Sequence, residues 1–377
     1  MKILYVIGGL GVGGAERQLL YLVDGVTRLA DVTVVSLSGS DVALLPEFSR
    51  LAGVQTLLCP KRPGLDPMLI PRLVAMLRRE RPTIVHTYLR TAGYWGRVAA
   101  CLAGIPIRIA SERNIEIERG RLENLLDRML SSVTDRVVVN SAAIRDYLIS
   151  AEGLASAKIE VIHNGVPISR PLLEPEVRTV RRELGLGELE YVVAFIGRLV
   201  PQKNPGLFLE MAAAVLRSGL KCGFLLVGDG PLRATLTDQA RPLGIQEAVR
   251  FTGVRNDVPR ILRVVDLLVL TSDWEGLPNV ILEALAAGVP AVATNVGGVG
   301  ELLTDGATGY VVPQRDLSTL VNRVIRILDD RGFRLECGRR GREYVQAHFS
   351  TSAMVDRTVA LYNLALRSQG LSELRPV

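Results

Sequence analysis

Two carboxylates and two cations, each set beside the end of an apolar run, are the residues of this sequence best suited to chemistry. In SDWEGLPNVILEALAAGVP (272–290), Glu275 follows a strand in a glycine-containing loop, and Glu283 comes eight residues later inside a helix. Pro278 opens that helix, so the backbone at Pro278, Asn279 and Val280 forms its positive end, suited to a phosphate. A carboxylate in the second helical turn can accept hydrogen bonds from vicinal hydroxyls, as on a ribose, where a charged partner is worth about 1.5–3 kcal/mol. Its neighbours Ile281, Leu282, Ala284 and Leu285 are apolar, so the helix is expected to be largely buried and a merely solvated Glu283 fits poorly.

The cations lie in GRLVPQKNP (197–205). Arg198 and Lys203 leave the end of a strand, and Asn204 with Pro205 is a good helix start. Such a pair neutralises a diphosphate, although taken alone it reads better as solvated surface charge. A third segment, GGLGVGGAER (8–17), has glycines at 8, 9, 11, 13 and 14 before a helix. Amides there could hold a phosphate or an acceptor group, and the same spacing equally serves a tight strand-to-helix turn. No GK[ST] follows, and the second strand does not end on an acid that would hold a nicotinamide ribose.

Other chemistries find little support. The four cysteines (59, 101, 222, 337) have no CxxC spacing, and the three histidines (86, 163, 348) are scattered, so no metal ligand set is expected. Asp273 with Glu275 is a chance D-x-E, and no Ser-His-Asp or Cys-His arrangement is legible. Spaced, unpaired thiols suit a reducing, cytoplasmic setting. Lys2 followed by ILYVIGG resembles a leader, but the apolar run collapses into glycines and meets Glu16 and Arg17, so a strand is expected instead. No stretch approaches the ~20 apolar residues of a spanning helix. The formal net charge of +6 is modest, the basic residues are dispersed and aromatics few, which disfavours a nucleic-acid partner.

The elements that must position these residues alternate between strand and helix. Candidate strands are 2–8, 32–37, 83–88, 107–112, 136–141 and 158–165 in the first half, then 191–197, 222–228, 249–253, 267–272 and 289–294. Continuous β-branched runs of this kind suit parallel sheets buried on both faces. Helical periodicity between them implies two doubly wound α/β domains. The pattern breaks at 164–190, read as a linker with a short helix. The expected division is therefore 1–165, 166–348 and a final amphipathic helix within 349–377 that packs back on the first domain. Ligands of such sheets bind at the carboxyl ends of strands, here in a cleft where the two domains face each other.

At this point the chain resembles the retaining glycosyltransferases of family 4, which have the GT-B fold. The matching pieces are GGAER (13–17), HNGV (163–166), GRL with Lys203, VGDGP (227–231), Glu275 to Glu283, AAGVPAVATNVGGVGEL (286–302) and GATGYVV (306–312). The resemblance covers essentially the whole chain. It implies that Arg198 and Lys203 bind the donor diphosphate and stabilise the leaving nucleotide, that Glu275 contacts the transferred sugar, and that Glu283 holds the ribose. It also implies donor contacts at Gly197, Leu277, Pro278, Asn279 and Val280, a base site near Val254 and Arg255, and a Gly13–Gly14 loop reaching the donor. Many relatives carry a histidine after a strand of the first domain. Here the equivalent stretch is IASERN (109–114), with Glu112 or Arg113 in its place; His86, at the end of the preceding strand, reads equally as a further acceptor-side candidate and as a packed histidine.

The activity implied is transfer of a sugar from a nucleoside diphosphate, UDP favoured, to a hydroxyl of a glycan or lipid-linked acceptor, with retention and without metal or cofactor. Alternatives are a GT-B-like sugar-nucleotide epimerase and a non-catalytic nucleotide-sugar-binding partner. The protein is expected in the cytoplasm, at the inner face of the plasma membrane where it is membrane-bound. PRLVAMLRRERP (71–82) sets Leu73, Val74 and Leu77 among arginines, a pattern for peripheral association with an anionic membrane or for an ordinary helix with its apolar face inward.

Overall fold

The computed structural model describes residues 1–114, 121–168, 174–187 and 189–375. It divides into two compact units, residues 1–165 with 351–377, and residues 166–350.

The first unit holds a seven-stranded sheet, β1 (Lys2–Ile7), β2 (Asp31–Ser36), β3 (Val54–Leu58), β4 (Ile84–Tyr88), β5 (Ile107–Glu112), β6 (Arg136–Val139) and β7 (Ile159–Val161). Its order is β3-β2-β1-β4-β5-β6-β7 and every pairing is parallel. Alternate residues of β1 enter two different cores: Ile3, Tyr5 and Ile7 join one, Leu4 and Val6 the other. That two-sided burial is why the strands read as unbroken apolar runs.

The last helix, Thr351–Ser368, belongs to this unit. Met354, Leu361, Tyr362, Ala365 and Leu366 pack in the same core as Leu19, Leu22 and Val23. The helix Leu69–Glu80 also turns its apolar face inward, with Leu73 and Leu77 buried and Val74 packed against the same core. Those three side chains are therefore not a membrane-facing stripe, which corrects one of the two readings of that segment.

The second unit holds β8 (Tyr191–Ile196), β9 (Cys222–Val227), β10 (Val249–Gly253), β11 (Leu267–Leu270), β12 (Ala291–Thr294) and β13 (Gly309–Val312). They form a parallel sheet of order β10-β9-β8-β11-β12-β13. Winding reverses between β1 and β4 in one sheet and between β8 and β11 in the other, which creates a crevice at the carboxyl ends of those strands. In the second unit the adjoining loops carry Arg198 and Lys203 on one side and Glu275 on the other.

β3 and β13 were absent from the expected strands. β3 is a half-exposed edge strand with Gln55 and Thr56 inside it, and β13 has only four residues and begins on a glycine. Neither presents the six-residue, almost wholly buried run of β1, β8 or β9. Among the described residues no helix is long and apolar enough to cross a membrane.

Candidate functional site

The crevice beside β8 and β11 is built by tying loops together through their backbones. After β8, Gly197 N–H donates to Val227 O at 2.9 Å and Leu199 N–H to Asp229 O at 2.9 Å. Gly228, at φ +133°, lies so close that a Cβ there would sit 2.0 Å from Gly197 O. Thus VGDGP is the turn that lets β9 press against the loop bearing Arg198. The same turn reaches β10, where Gly228 N–H donates to Gly253 O at 2.9 Å.

The loop then makes a short 3-10 turn, Pro201–Lys203, and Asn204 caps the helix Pro205–Arg217 with its side chain accepting from Leu207 N–H. Thr271 Oγ1 donates to Lys203 O at 3.0 Å or Asn204 O at 2.8 Å, and Gln202 Nε2 donates to Trp274 O at 2.9 Å. These bonds lock the cationic loop to the loop after β11.

Lys203 Nζ lies 2.5 Å from Glu275 Oε1, and Ser272 Oγ donates to the same oxygen at 2.6 Å. The pair is largely withdrawn from water, with side-chain exposures of 18% for Lys203 and 7% for Glu275. Glu275 Oε2 carries no hydrogen bond among the described residues. Behind the carboxylate, Gly298 N–H donates to Gly276 O at 2.7 Å, and Gly297 adopts φ +51°. A Cβ on Gly297 would fall 2.0 Å from Glu275 O, so only glycine fits this approach.

Arg198 is exposed, and its guanidinium has no ion pair or hydrogen bond among the described residues. Pro278 is the N-cap of the helix Asn279–Ala286, and Asn279 and Val280 are half-buried at its start. Leu277 is buried in the core, which leaves only its backbone for a ligand. Glu283 is half-buried in the second turn, between buried Leu282 and Ala284. Val254 is exposed after β10. Arg255 is neutralised by a two-pronged pair with Asp257, both contacts at 2.8 Å. Asp273 is taken up by Arg315 at 2.9 Å. Among the described residues no group of three histidine, cysteine or acidic side chains is placed to hold a metal ion.

The first-unit candidates separate. His86 is fully buried, with Nδ1 2.7 Å from the Tyr362 hydroxyl and Nε2 2.8 Å from Ser111 Oγ. Burial, then the nearby Arg113 charge, pushes its pKa well below the ordinary 6.5, so it is a neutral packing residue. Of the two readings of His86, a cleft residue and a packed histidine, this burial and these two partners fit the packed one. Arg113 is buried too, bonded to Asn164 Oδ1 and lying 4.8 Å over the Tyr88 ring. Glu112 ends β5 and is partly exposed. Gly13, extended at φ −134°, caps the helix Gly14–Val26, so the Gly13–Gly14 pair forms a strand-to-helix turn.

Two family models match this chain almost end to end. "Glycosyltransferase Family 4" covers residues 12–170 and "Glycosyl transferases group 1" covers residues 176–344. The chain belongs to the family 4 glycosyltransferases. It is 29% identical over 373 residues to the UDP-Gal:alpha-D-GlcNAc-diphosphoundecaprenol alpha-1,3-galactosyltransferase of Escherichia coli, covering 92% of this chain and 96% of that one. It is 27% identical over 405 residues to a D-inositol 3-phosphate glycosyltransferase of Salinispora arenicola, covering 96% and 90%. The Anabaena protein HepE, solved in complex with UDP, superposes with a TM-score of 0.84 at 22% identity over 96% of this chain and 99% of that one. The fold of this glycosyltransferase is therefore GT-B.

Sequence reasoning missed three residues that shape the glycosyltransferase site. Ser272 looked like the last residue of a strand, yet it is a donor to Glu275. Gly228 and Gly297 act through backbone contacts with residues 31 and 22 positions away, respectively, so only spatial proximity shows their purpose. The available signal was their place: each lies within a few residues of the carboxyl end of a strand near the winding reversal.

Proposed function

We propose that this glycosyltransferase transfers a sugar from a UDP-sugar to a hydroxyl of a glycan or lipid-linked acceptor, with retention of anomeric configuration and without a metal ion or cofactor. The observation that carries the reading is the Lys203–Glu275–Ser272 constellation at the carboxyl ends of β8 and β11. An ammonium has three donors, so Lys203 can keep Glu275 and still offer N–H groups to a diphosphate. Arg198, exposed in the same loop, supplies the second cation.

In this assignment the two cations and the start of the helix Asn279–Ala286 face the leaving diphosphate. Charge builds there as the glycosidic bond breaks, and a fixed cation in a partly dry site stabilises that charge more than water does. Glu275, its Oε1 held by two donors, accepts hydrogen bonds from the sugar through Oε2. Glu283 accepts from the ribose hydroxyls, and the backbone near Val254 and Arg255 lies against the base. The barrier falls through positioning and electrostatics, with no protein nucleophile assigned.

UDP is favoured because UDP is the nucleotide bound to HepE and named in the donor of the E. coli relative. That relative's acceptor is named as diphospholipid-linked, which supports the acceptor class. The free cysteines, three of the four buried, fit a cytoplasmic site of action.

The test is calorimetric titration of UDP, GDP and ADP in the presence of EDTA, on the natural chain and on Glu283→Ala. UDP alone is expected to bind well, about ten- to a hundredfold more weakly in the variant if a charged hydrogen bond to the ribose is lost. Equal UDP affinity in the two proteins would remove Glu283 from the donor site. Slow hydrolysis of UDP-sugar followed by NMR should release the same anomer that the donor carries, and the opposite anomer would overturn retention.

A further inference from the structure

The loop after β1 is covered by a side chain that the donor assignment does not use. Gly9 and Gly11 are buried in that loop, and over them lies Asp41, from the segment that follows β2. A Cβ on Gly9 would stand 2.6 Å from Asp41 Oδ2, and one on Gly11 would overlap Oδ1. The carboxylate therefore sits astride the two glycines, in space that any larger residue there would take. Its backbone is fixed on both sides. Asp41 N–H donates to Ser38 Oγ at 3.0 Å, and Asp41 O accepts from Leu10 N–H at 2.7 Å. Leu10 O in turn accepts from Leu44 N–H at 2.7 Å, and the Leu10 and Leu44 side chains are buried in one core.

The carboxylate so placed is left unspent. Asp41 is exposed, and among the described residues neither of its carboxylate oxygens takes a hydrogen bond or an ion pair. The Glu16 carboxylate lies in the same way over Gly13. Two carboxylates along residues 9–13 disfavour a phosphate on this loop, because like charges at short range repel. A fixed carboxylate takes hydroxyl groups instead, each oxygen offering lone pairs to a donor. Val12, 45% exposed between Gly11 and Gly13, adds an apolar surface in the same loop. A sugar presents the matching combination, hydroxyls at its rim and C–H groups on its face. Because the carboxylate is held in advance, little conformational freedom is lost when it binds.

From this placement, and resting on the transferase reading above, we infer that Asp41 is a specificity residue for the acceptor, its carboxylate accepting hydrogen bonds from hydroxyls of an acceptor sugar. It stands at the carboxyl ends of the strands, beside the winding reversal between β1 and β4, where ligands of such sheets bind. Gly9 and Gly11 serve to seat it, so these two glycines answer to a side chain and not to a phosphate. A site built to bond a hydroxyl rejects an analogue that lacks it, which makes Asp41 a selector among acceptors.

The test is transfer from UDP-galactose, UDP-glucose or UDP-N-acetylglucosamine to short-chain alkyl diphosphates of N-acetylglucosamine, glucose and galactose, and to their deoxy analogues. The proteins are the natural chain, Asp41→Ala, Asp41→Asn, Gly11→Ala and Gly11→Ala/Asp41→Ala. Gly11 lies outside the left-handed region, so an alanine fits its backbone and acts by pushing the carboxylate away. Asp41→Ala is expected to raise the acceptor KM about ten- to a hundredfold, with Asp41→Asn in between because it keeps one acceptor oxygen. Gly11→Ala should do the same, and the double variant should be no worse than Asp41→Ala. At least one deoxy acceptor should cost the natural chain about tenfold in kcat/KM and cost Asp41→Ala nothing further, since the contact is already gone. UDP titration of each variant, expected to match the natural chain, shows that the fold and the donor site are intact. An unchanged acceptor KM in Asp41→Ala, or deoxy losses that add in full to the loss from that variant, overturns the inference. A natural chain that binds UDP and hydrolyses a UDP-sugar but glycosylates none of these sugars overturns it too, and leaves the donor reading standing. A natural chain that binds no UDP overturns the reading on which the inference rests.

Discussion

A double-variant cycle on Lys203→Ala and Glu275→Gln separates a residue that holds the site together from one that binds donor. Lys203 Nζ is 2.5 Å from Glu275 Oε1, and the two side chains are 18% and 7% exposed. Deleting the lysine leaves a carboxylate nearly out of water with Ser272 Oγ as its side-chain donor. Breaking a buried pair from one side costs about 3–5 kcal/mol, and the partial exposure of Lys203 lowers this to about 2–3 kcal/mol. The single variant should therefore unfold earlier and bind UDP less well, and by itself it cannot tell the two effects apart.

Adding Glu275→Gln to Lys203→Ala removes the stranded charge. Denaturant unfolding of the double variant should return to within about 1 kcal/mol of the natural chain, because a neutral amide still accepts from Ser272. Donor binding should not return, since the lost phosphate contact is worth about 1.5–3 kcal/mol, or roughly ten- to a hundredfold in UDP affinity. The assay pairs urea unfolding with calorimetric UDP titration on all four members of the cycle. If the double variant regains both stability and UDP affinity, Lys203 serves only to neutralise Glu275, and the diphosphate assignment is wrong. If the single variant loses neither, the reasoning from burial fails as well.

Two further outcomes follow from close contacts elsewhere. Gly297→Ala places a Cβ 2.0 Å from Glu275 O on a backbone at φ +51°, so it should cost at least about 2 kcal/mol in thermal or denaturant unfolding and lower turnover by moving Glu275; a variant as stable and active as the natural chain would show that the loop yields freely. His86 is neutral in the fold because burial holds its pKa well below 6.5, so the stability it contributes is complete above that value and is lost as pH falls below it, at up to about 1.4 kcal/mol per pH unit. The tyrosines around it do not compete in this window, since Tyr5, Tyr88 and Tyr362 are all pushed above their ordinary range. In His86→Gln the melting temperature should start lower near pH 7.5 and fall less steeply toward pH 5, and parallel curves for the two proteins would refute the assignment.

The parts of the fold that were legible are those where physics acts along the chain. A parallel strand covered on both faces must be apolar throughout, so β1, β5 and β8 could be placed within a residue or so of their observed ends. Edge position removes that constraint, which is why Gln55 and Thr56 hid β3. His86 stood between two readings for a related reason. In a strand buried on both faces, position along the strand does not say whether a polar side chain opens to solvent or meets partners from distant segments. Its partners are Ser111 and Tyr362, the latter 276 residues away on the final helix. The helix Leu69–Glu80 was ambiguous because a stripe of leucines among arginines fits a core-facing helix and a membrane-facing one equally well. Only the packing of Leu73 and Leu77 decides between them.

The candidate site illustrates why charged residues can be found by reading and their supports cannot. Glu275, Glu283, Arg198 and Lys203 draw attention because each interrupts an apolar run at a strand end or on a buried helix, where an unexplained charge is costly. What makes them a site is the distance between them, and that is set by residues without charge. Gly228 brings β9 against the Arg198 loop, Thr271 ties the Lys203 turn to the end of β11, and Gly297 presses the chain after β12 against the Glu275 carbonyl. Removing the volume constraint at any of these positions shifts backbone, and a shift of about 1 Å is enough to cost a positioned reaction a hundredfold. The geometry therefore predicts that small residues at the strand ends are as intolerant of substitution as the charged ones, although they carry no charge.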